Sequence, residues 1–109
     1  MERVYNKLVR DNIPDIIREK GETPVVRVMD EPEYKKELEK KLYEEYQEVI
    51  EASGADRILE LADMLEVISA LACLENKSLD DAIMIARDKA LKRGAFDKKI
   101  FLEKVVDKN

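Results

Sequence analysis

Residues 58–74 read ILELADMLEVISALACL, an apolar run that contains three carboxylates. Wound as a helix, the run has apolar side chains on nearly every side, and a helix of that kind is normally buried. A carboxylate placed in such a helix is costly unless a cation or a partner charge neutralises it. The pattern therefore predicts a buried helix that begins at Asp56 and ends near residue 75, in which Glu60 and Asp63 have a special role.

Three more segments carry helix signals. Asn12 offers a capping side chain with Pro14 in the first turn, and Asp30–Glu33 and Ser78–Asp81 have the arrangement of capping boxes. Gly94 is suited to end the last helix. The expected helices run from about Asn12 to Gly21, from about Asp30 to Ser53, and from Ser78 to Arg93.

The whole composition is typical of a helical protein. Charged residues make up 41% of the 109 residues and hydrophobic ones 45%, with only three Gly and three Pro. Residues 23–29 suit one short strand or a covering loop, and residues 96–109 suit a helix or extended packing. We expect one all-α domain over residues 1–109, a helical bundle built on an antiparallel helix hairpin.

The net charge limits the kinds of partner that the chain is expected to bind. A formal net charge of -5 gives no basic face for a nucleic-acid polymer, because duplex binders displace counterions with positive side chains. Charged residues interrupt the one candidate membrane span, and the N-terminus lacks the core of a signal peptide. We expect a cytoplasmic protein with no membrane contact.

The helix from Asp56 needs more neighbours than this chain offers. A helix that is apolar all round must be covered on all sides, and only two other long helices are expected. A second copy of the chain would supply the missing cover. The sequence therefore predicts a homodimer or higher homo-oligomer built on helix packing.

Two acidic clusters are expected to face one another. At about 100° per residue, Glu44, Glu45 and Glu48 share one side of their helix, and Glu60 and Asp63 share one side of the next. The short connection between these helices turns them antiparallel and brings both clusters to the same end of the hairpin. Four or five carboxylates would converge there.

Converging carboxylates favour a magnesium site. Mg²⁺ prefers oxygen ligands, whereas zinc and copper favour His or Cys, and this chain has no His and a single Cys. Without His, a general base near neutral pH is most simply a carboxylate. The alternative is that these side chains form solvated helix faces, and Glu66 suits either a further ligand or an interface charge.

Basic side chains at both ends of the chain suit phosphate groups. They are Lys7, Arg10, Lys89, Lys92 and Arg93. Each also fits a plain surface charge. The chain has no Walker-type Gly-rich loop, so a nucleotide would be held through metal and basic side chains.

These motifs together resemble a known family. Glu45-x-x-Glu48 followed by Glu60-x-x-Asp63 is similar to the ExxE and ExxD metal motifs of the all-α, MazG-like nucleoside triphosphate pyrophosphohydrolases. That superfamily includes phosphoribosyl-ATP pyrophosphohydrolase and dimeric dUTPases. Residues 5–14, YNKLVRDNIP, resemble the opening signature of a small branch, and residues 92–96, KRGAF, its closing K-R-G-G-F motif with Ala95 in place of the second glycine.

The resemblance implies a hydrolase that cleaves a nucleoside triphosphate between the α and β phosphates. It implies Mg²⁺, with Mn²⁺ as a substitute, held by Glu45, Glu48, Glu60 and Asp63. Glu44 or Glu45 would orient or deprotonate the attacking water, and the five basic residues would neutralise the triphosphate. Two alternatives stay open: phosphoribosyl-ATP pyrophosphohydrolase activity, and a non-catalytic helical oligomer that binds nucleotide or a partner.

Overall fold

Four helices form the regular structure of the chain. The computed structural model describes residues 2–108, and in that range it contains α1 (Ile13–Glu19), α2 (Glu31–Glu51), α3 (Gly54–Leu74) and α4 (Leu79–Arg93), with no strand. The predicted all-helical class is confirmed for these residues. Residues 23–29 form a connecting segment rather than a strand, and residues 100–108 have neither helix nor strand.

The helix ends follow the capping signals in part. The Asp30 side chain accepts from the Glu33 N–H, but the Glu33 carboxylate pairs with Arg27, so the predicted capping box is only half formed there. Ser78 and Asp81 form the predicted reciprocal capping box. Gly94 ends α4 at a φ of 84°, a value that glycine adopts without strain. The predicted cap at Asn12 is wrong, because its side chain makes no capping hydrogen bond and its backbone is already helical.

The α2–α3 hairpin positions the candidate site. The two helices contact one another along their length and are joined by only Ala52 and Ser53, so they run antiparallel. The guanidinium of Arg57 donates to the Ala52 carbonyl over 2.9 Å and fixes this turn. α3 begins at Gly54, two residues before the predicted Asp56, because the Arg57 N–H already bonds the Ser53 carbonyl.

Little of the apolar surface is covered within one chain. Leu38 of α2 and Val67 of α3 are the only buried apolar side chains among residues 2–108. α4 packs on α3 and makes no helix contact with α2. α3 is therefore contacted by both α2 and α4 but keeps large apolar side chains such as Ile58, Leu61 and Leu65 exposed, so the prediction of a helix buried on all sides is not met by a single copy.

The molecule is elongated. It measures 72 × 33 × 22 Å with a radius of gyration of 19.3 Å, whereas a compact domain of this length has one of about 13 Å. Among residues 2–108, no helix combines the length and the apolar character that crossing a membrane requires.

Candidate metal centre

Three of the predicted carboxylates converge between α2 and α3. Glu45 of α2 and Glu60 and Asp63 of α3 each place one carboxylate oxygen within 4.8 Å of the other two. The side chains meet because Glu60 and Asp63 are three residues apart on one face of α3, and the antiparallel α2 lays Glu45 against that face. We call these three residues the acidic triad.

Two oxygens of the acidic triad are shielded from solvent and have no hydrogen-bond donor among residues 2–108. Glu45 is only 8% exposed, the one buried charged residue in the described part of the chain. The Oε2 atoms of Glu45 and Glu60 are both inaccessible and have no hydrogen-bond partner among residues 2–108. A buried carboxylate oxygen without a donor is costly. The site is therefore built to receive a proton or a cation.

Burial and crowding raise the pKa of Glu45 to about 7. Loss of solvent is the largest cause, followed by the neighbouring Glu48, which favours the protonated form through hydrogen bonding and repulsion. Asp63 adds further repulsion, and only the ammonium group of Lys41 opposes the shift. Near neutral pH, the Glu45 carboxyl is therefore present in both its protonated and its ionised form.

The pKa of Glu60 is also raised. Its first cause is Glu48, through a hydrogen bond that favours the protonated acid, followed by burial and by the negative charges of Glu48 and Asp63. Two carboxyl groups can share a hydrogen bond only when one carries a proton, so as anions they leave their oxygens unpaired. Glu48 itself is exposed and lies outside the acidic triad, but it belongs to the same electrostatic group.

The donor set of the acidic triad fits Mg²⁺. All three ligand atoms are carboxylate oxygens, and an octahedral Mg²⁺ with ligands at about 2.0–2.1 Å places opposite oxygens about 4.2 Å apart. The spread of up to 4.8 Å requires only a small inward adjustment. A positive ion would satisfy the unpaired oxygens of Glu45 and Glu60 and relieve the repulsion among all three carboxylates.

The N-terminal segment lies across this hairpin. A crevice forms where it crosses α2, and both Lys7 and Glu44 line it. The crevice is lined by Lys7, Leu8, Glu37, Lys40, Lys41 and Glu44. Sequence reasoning missed Lys40 and Lys41. Their spacing with Glu37 and Glu44 puts all four on one side of α2, but nothing in the pattern indicates which side the N-terminal segment covers.

Arg10 reaches the acidic triad directly. Its guanidinium donates to Oδ1 of Asp63 over 2.8 Å and forms an ion pair across 53 positions of sequence. Both side chains are about half exposed. The structure thus brings the opening motif and the second acidic motif together, although Arg10 contacts a candidate metal ligand rather than open space for a phosphate.

The remaining sequence candidates are not brought to the acidic triad in one chain. Lys89, Lys92 and Arg93 are exposed on the last turns of α4, and within residues 2–108 they make no ion pair. Glu66 is exposed on α3 and lies outside the acidic triad. Any role for these side chains at the site would require a neighbouring copy or a substrate that spans the gap.

Comparison with known proteins adds little to this geometry. An uncharacterized protein of Mycolicibacterium smegmatis is 46% identical over 54 residues, which are 50% of this chain and 55% of that protein. The match thus covers about half the length of each protein. No family model and no solved structure matches the chain.

Proposed function

We propose that the protein is a Mg²⁺-dependent nucleoside triphosphate pyrophosphohydrolase that releases a nucleoside monophosphate and pyrophosphate. The observation that supports it most is the acidic triad, whose two buried oxygens lack donors, beside the basic N-terminal segment. This adds to the resemblance carried by the two acidic motifs and the opening decapeptide.

In this proposal the acidic triad holds the cation, and Glu48 stands beside it as a further ligand. When bound, Mg²⁺ supplies Lewis-acid polarisation of the phosphate oxygens and lowers the pKa of water. Glu44 is half-buried in the neighbouring crevice and is the base that accepts the proton of the attacking water. Glu45 is the second candidate for that role, since its carboxyl is balanced near neutrality.

Basic side chains bind the triphosphate. Lys7 lines the same crevice as Glu44, and Arg10 pairs with Asp63 of the acidic triad, so both are close to the groups assigned to the reaction. Water attacks one phosphorus of the α–β anhydride, and the bridging oxygen leaves with the other phosphoryl group. The charge that grows on these oxygens is stabilised by the ammonium and guanidinium groups. Lys89, Lys92 and Arg93 are assigned to the outer phosphates.

The active form is a homo-oligomer. Many large apolar side chains of α3, α4 and the C-terminal segment are exposed in the single chain, and monomeric proteins rarely expose apolar patches of that extent. Ile58, Leu61 and Leu65 form a stripe on α3 at helical spacing, and all three are more than a third exposed. A second copy packed on this stripe would cover α3.

The proposal is tested by measuring pyrophosphate release from standard and modified nucleoside triphosphates with Mg²⁺ or Mn²⁺. We expect activity that EDTA abolishes and that falls by orders of magnitude in Asp63→Asn and Glu48→Gln, because each change removes a ligand charge. Glu39→Gln, an exposed change on α2, is the matched control and should keep full activity.

Other outcomes of the same screen have definite meanings. Preferential turnover of phosphoribosyl-ATP would assign the chemistry to that compound instead. Absence of activity on every substrate, with a folded protein that binds nucleotide, would favour a non-catalytic oligomer. Full activity in a folded Asp63→Asn protein would refute the assigned site.

A further inference from the structure

Arg10 occupies the position of a counter-ion to the acidic triad. Within residues 2–108 its ion pair with Asp63 is the only one that any member of the acidic triad makes. The pair satisfies Asp63 but leaves the buried Oε2 atoms of Glu45 and Glu60 without donors. A single guanidinium charge therefore neutralises only part of the site.

The Arg10–Asp63 pair is easily displaced. The two side chains are 57% and 46% exposed, and exposed ion pairs contribute little to stability because water and salt screen them. A divalent ion has twice the charge of the guanidinium and approaches carboxylate oxygens more closely than the 2.8 Å of the observed contact. It would also satisfy the two oxygens that Arg10 does not reach.

The same contact ties the N-terminal segment to the hairpin. Arg10 carries the hydrogen bond between this segment and α3, and the Arg10 carbonyl accepts from the Ile13 N–H at the start of α1 over 3.1 Å. Lys7 and Leu8 of the same segment line the crevice on α2. Arg10 therefore connects Asp63 to the segment whose Lys7 and Leu8 line the crevice with Glu44.

We propose that Arg10 is a positioning residue that neutralises Asp63 until a cation binds: Asp63 exchanges the Arg10 guanidinium for a divalent cation, and this exchange releases the N-terminal segment at Arg10 from α3. The released guanidinium is then free to pair with an anion that arrives with the cation. This inference rests on the proposed function, since it requires that the acidic triad binds Mg²⁺.

The test is the Mg²⁺ affinity of Arg10→Ala measured by titration calorimetry. Removing a competitor of the strength of an exposed ion pair should tighten Mg²⁺ binding by about two- to fivefold. Lys41→Ala is the matched control, because Lys41 is a nearby positive charge that makes no ion pair with the acidic triad. Its gain should be smaller than that of Arg10→Ala.

Hydrogen exchange of the Ile13 amide, which donates to the Arg10 carbonyl, gives a second measurement that does not depend on activity. Saturating Mg²⁺ should speed exchange at this amide in the wild-type protein, and Arg10→Ala should show fast exchange with or without Mg²⁺. Equal Mg²⁺ affinities in the wild type and Arg10→Ala, with unchanged exchange, would overturn the exchange model and leave the metal site standing. Weaker Mg²⁺ binding by Arg10→Ala would overturn it as well. A lack of Mg²⁺ binding by every variant would overturn the metal site and this inference together.

Discussion

Glu45 is the most deeply buried member of the acidic triad. Its position at the hairpin interface removes the carboxylate from water, while Glu48 and Asp63 keep it in a negative field. A carboxylate in such surroundings is an energetic burden on the free protein and becomes favourable only when a positive charge arrives. In the proposed metal site, binding of a cation would remove the free-energy cost of this buried carboxylate.

Glu45→Gln should stabilise the metal-free protein at about pH 8 by on the order of 1–3 kcal/mol, because it removes a buried charge that the fold disfavours. The same change should abolish most of the stabilisation that Mg²⁺ gives the wild type. Urea unfolding with and without Mg²⁺ measures both effects. Glu39→Gln, on the exposed face of α2, should change the unfolding free energy by less than about 0.5 kcal/mol. A destabilised Glu45→Gln protein that still responds fully to Mg²⁺ would contradict this role for Glu45.

The metal-free protein should lose stability as the pH rises through the window from 4.5 to about 7. In that window the folded state binds more protons than the unfolded state, since the pKa of Glu45 is raised on folding, and unfolding free energy then falls with pH. The contribution is fully present below the unfolded pKa and is lost above the folded one. Urea midpoints measured across this range test the slope, and saturating Mg²⁺ should flatten or reverse it. A midpoint that rises with pH in the absence of divalent ions would be the opposite result.

Ser53 and Ser78 both stand at the N-terminus of a helix, so substitutions at the two positions can be compared directly. Ser78 caps α4 with its side chain, whereas Ser53 stands at the start of α3 and makes no capping hydrogen bond. Ser78→Ala should therefore cost about 1 kcal/mol, and Ser53→Ala should cost close to nothing. Urea unfolding, together with amide exchange in the first turn of each helix, distinguishes the two. Equal costs for both substitutions would mean that the Ser78 capping box does not stabilise α4.

The sequence predicts the helices better than it predicts their surroundings. Capping chemistry at Asp30, Ser78 and Gly94 is local, so the residues themselves specify it. The failure at Asn12 is also local, because a short helix with Pro14 in its first turn can begin without a side-chain cap. Spacing alone likewise predicted that Glu45, Glu60 and Asp63 would meet across a tight hairpin.

What spacing cannot predict is the path of a segment without periodicity. Residues 4–12 have no helical or strand pattern, so their course over α2 and the contact of Arg10 with Asp63 were not predictable from the sequence. Lys40 and Lys41 were missed for the same reason. They line the crevice only because the N-terminal segment passes over their side of α2, and the helical spacing does not show that path. The position of Lys89, Lys92 and Arg93 relative to the acidic triad depends on which surface packs on α4. Residues close to them in sequence do not determine that packing.

The whole molecule is extended and buries few apolar side chains within one chain. Leu38 and Val67 provide very little buried apolar area, and the radius of gyration of 19.3 Å exceeds the value of about 13 Å for a compact chain of this length. Burial of apolar surface is the main source of free energy that opposes the loss of chain entropy on folding. The shape therefore agrees with a proposal in which a second copy supplies the missing contacts.

Sedimentation should accordingly give a mass of at least twice the 12.6 kDa of one chain at micromolar concentration. Leu65→Glu places a charge on the exposed stripe of α3 and should shift the protein toward a monomer and lower its unfolding temperature. Val25→Glu, the same kind of change at an exposed site on the connection before α2, is the control and should leave the mass unchanged. A wild-type protein that sediments as a stable, folded 12.6 kDa species would contradict the oligomer.

The carboxylates of Glu45, Glu60 and Asp63 are proposed to enclose a divalent cation, and the other proposals depend on that site. The most direct measurement is a crystal structure of the protein grown with Mn²⁺ in place of Mg²⁺, with an anomalous difference map collected near the manganese edge. We predict a single strong peak or a close pair of peaks between these three carboxylates, bonded to the oxygens that lack donors. A map without a peak there, with the three side chains turned away from one another into solvent, would contradict the metal site.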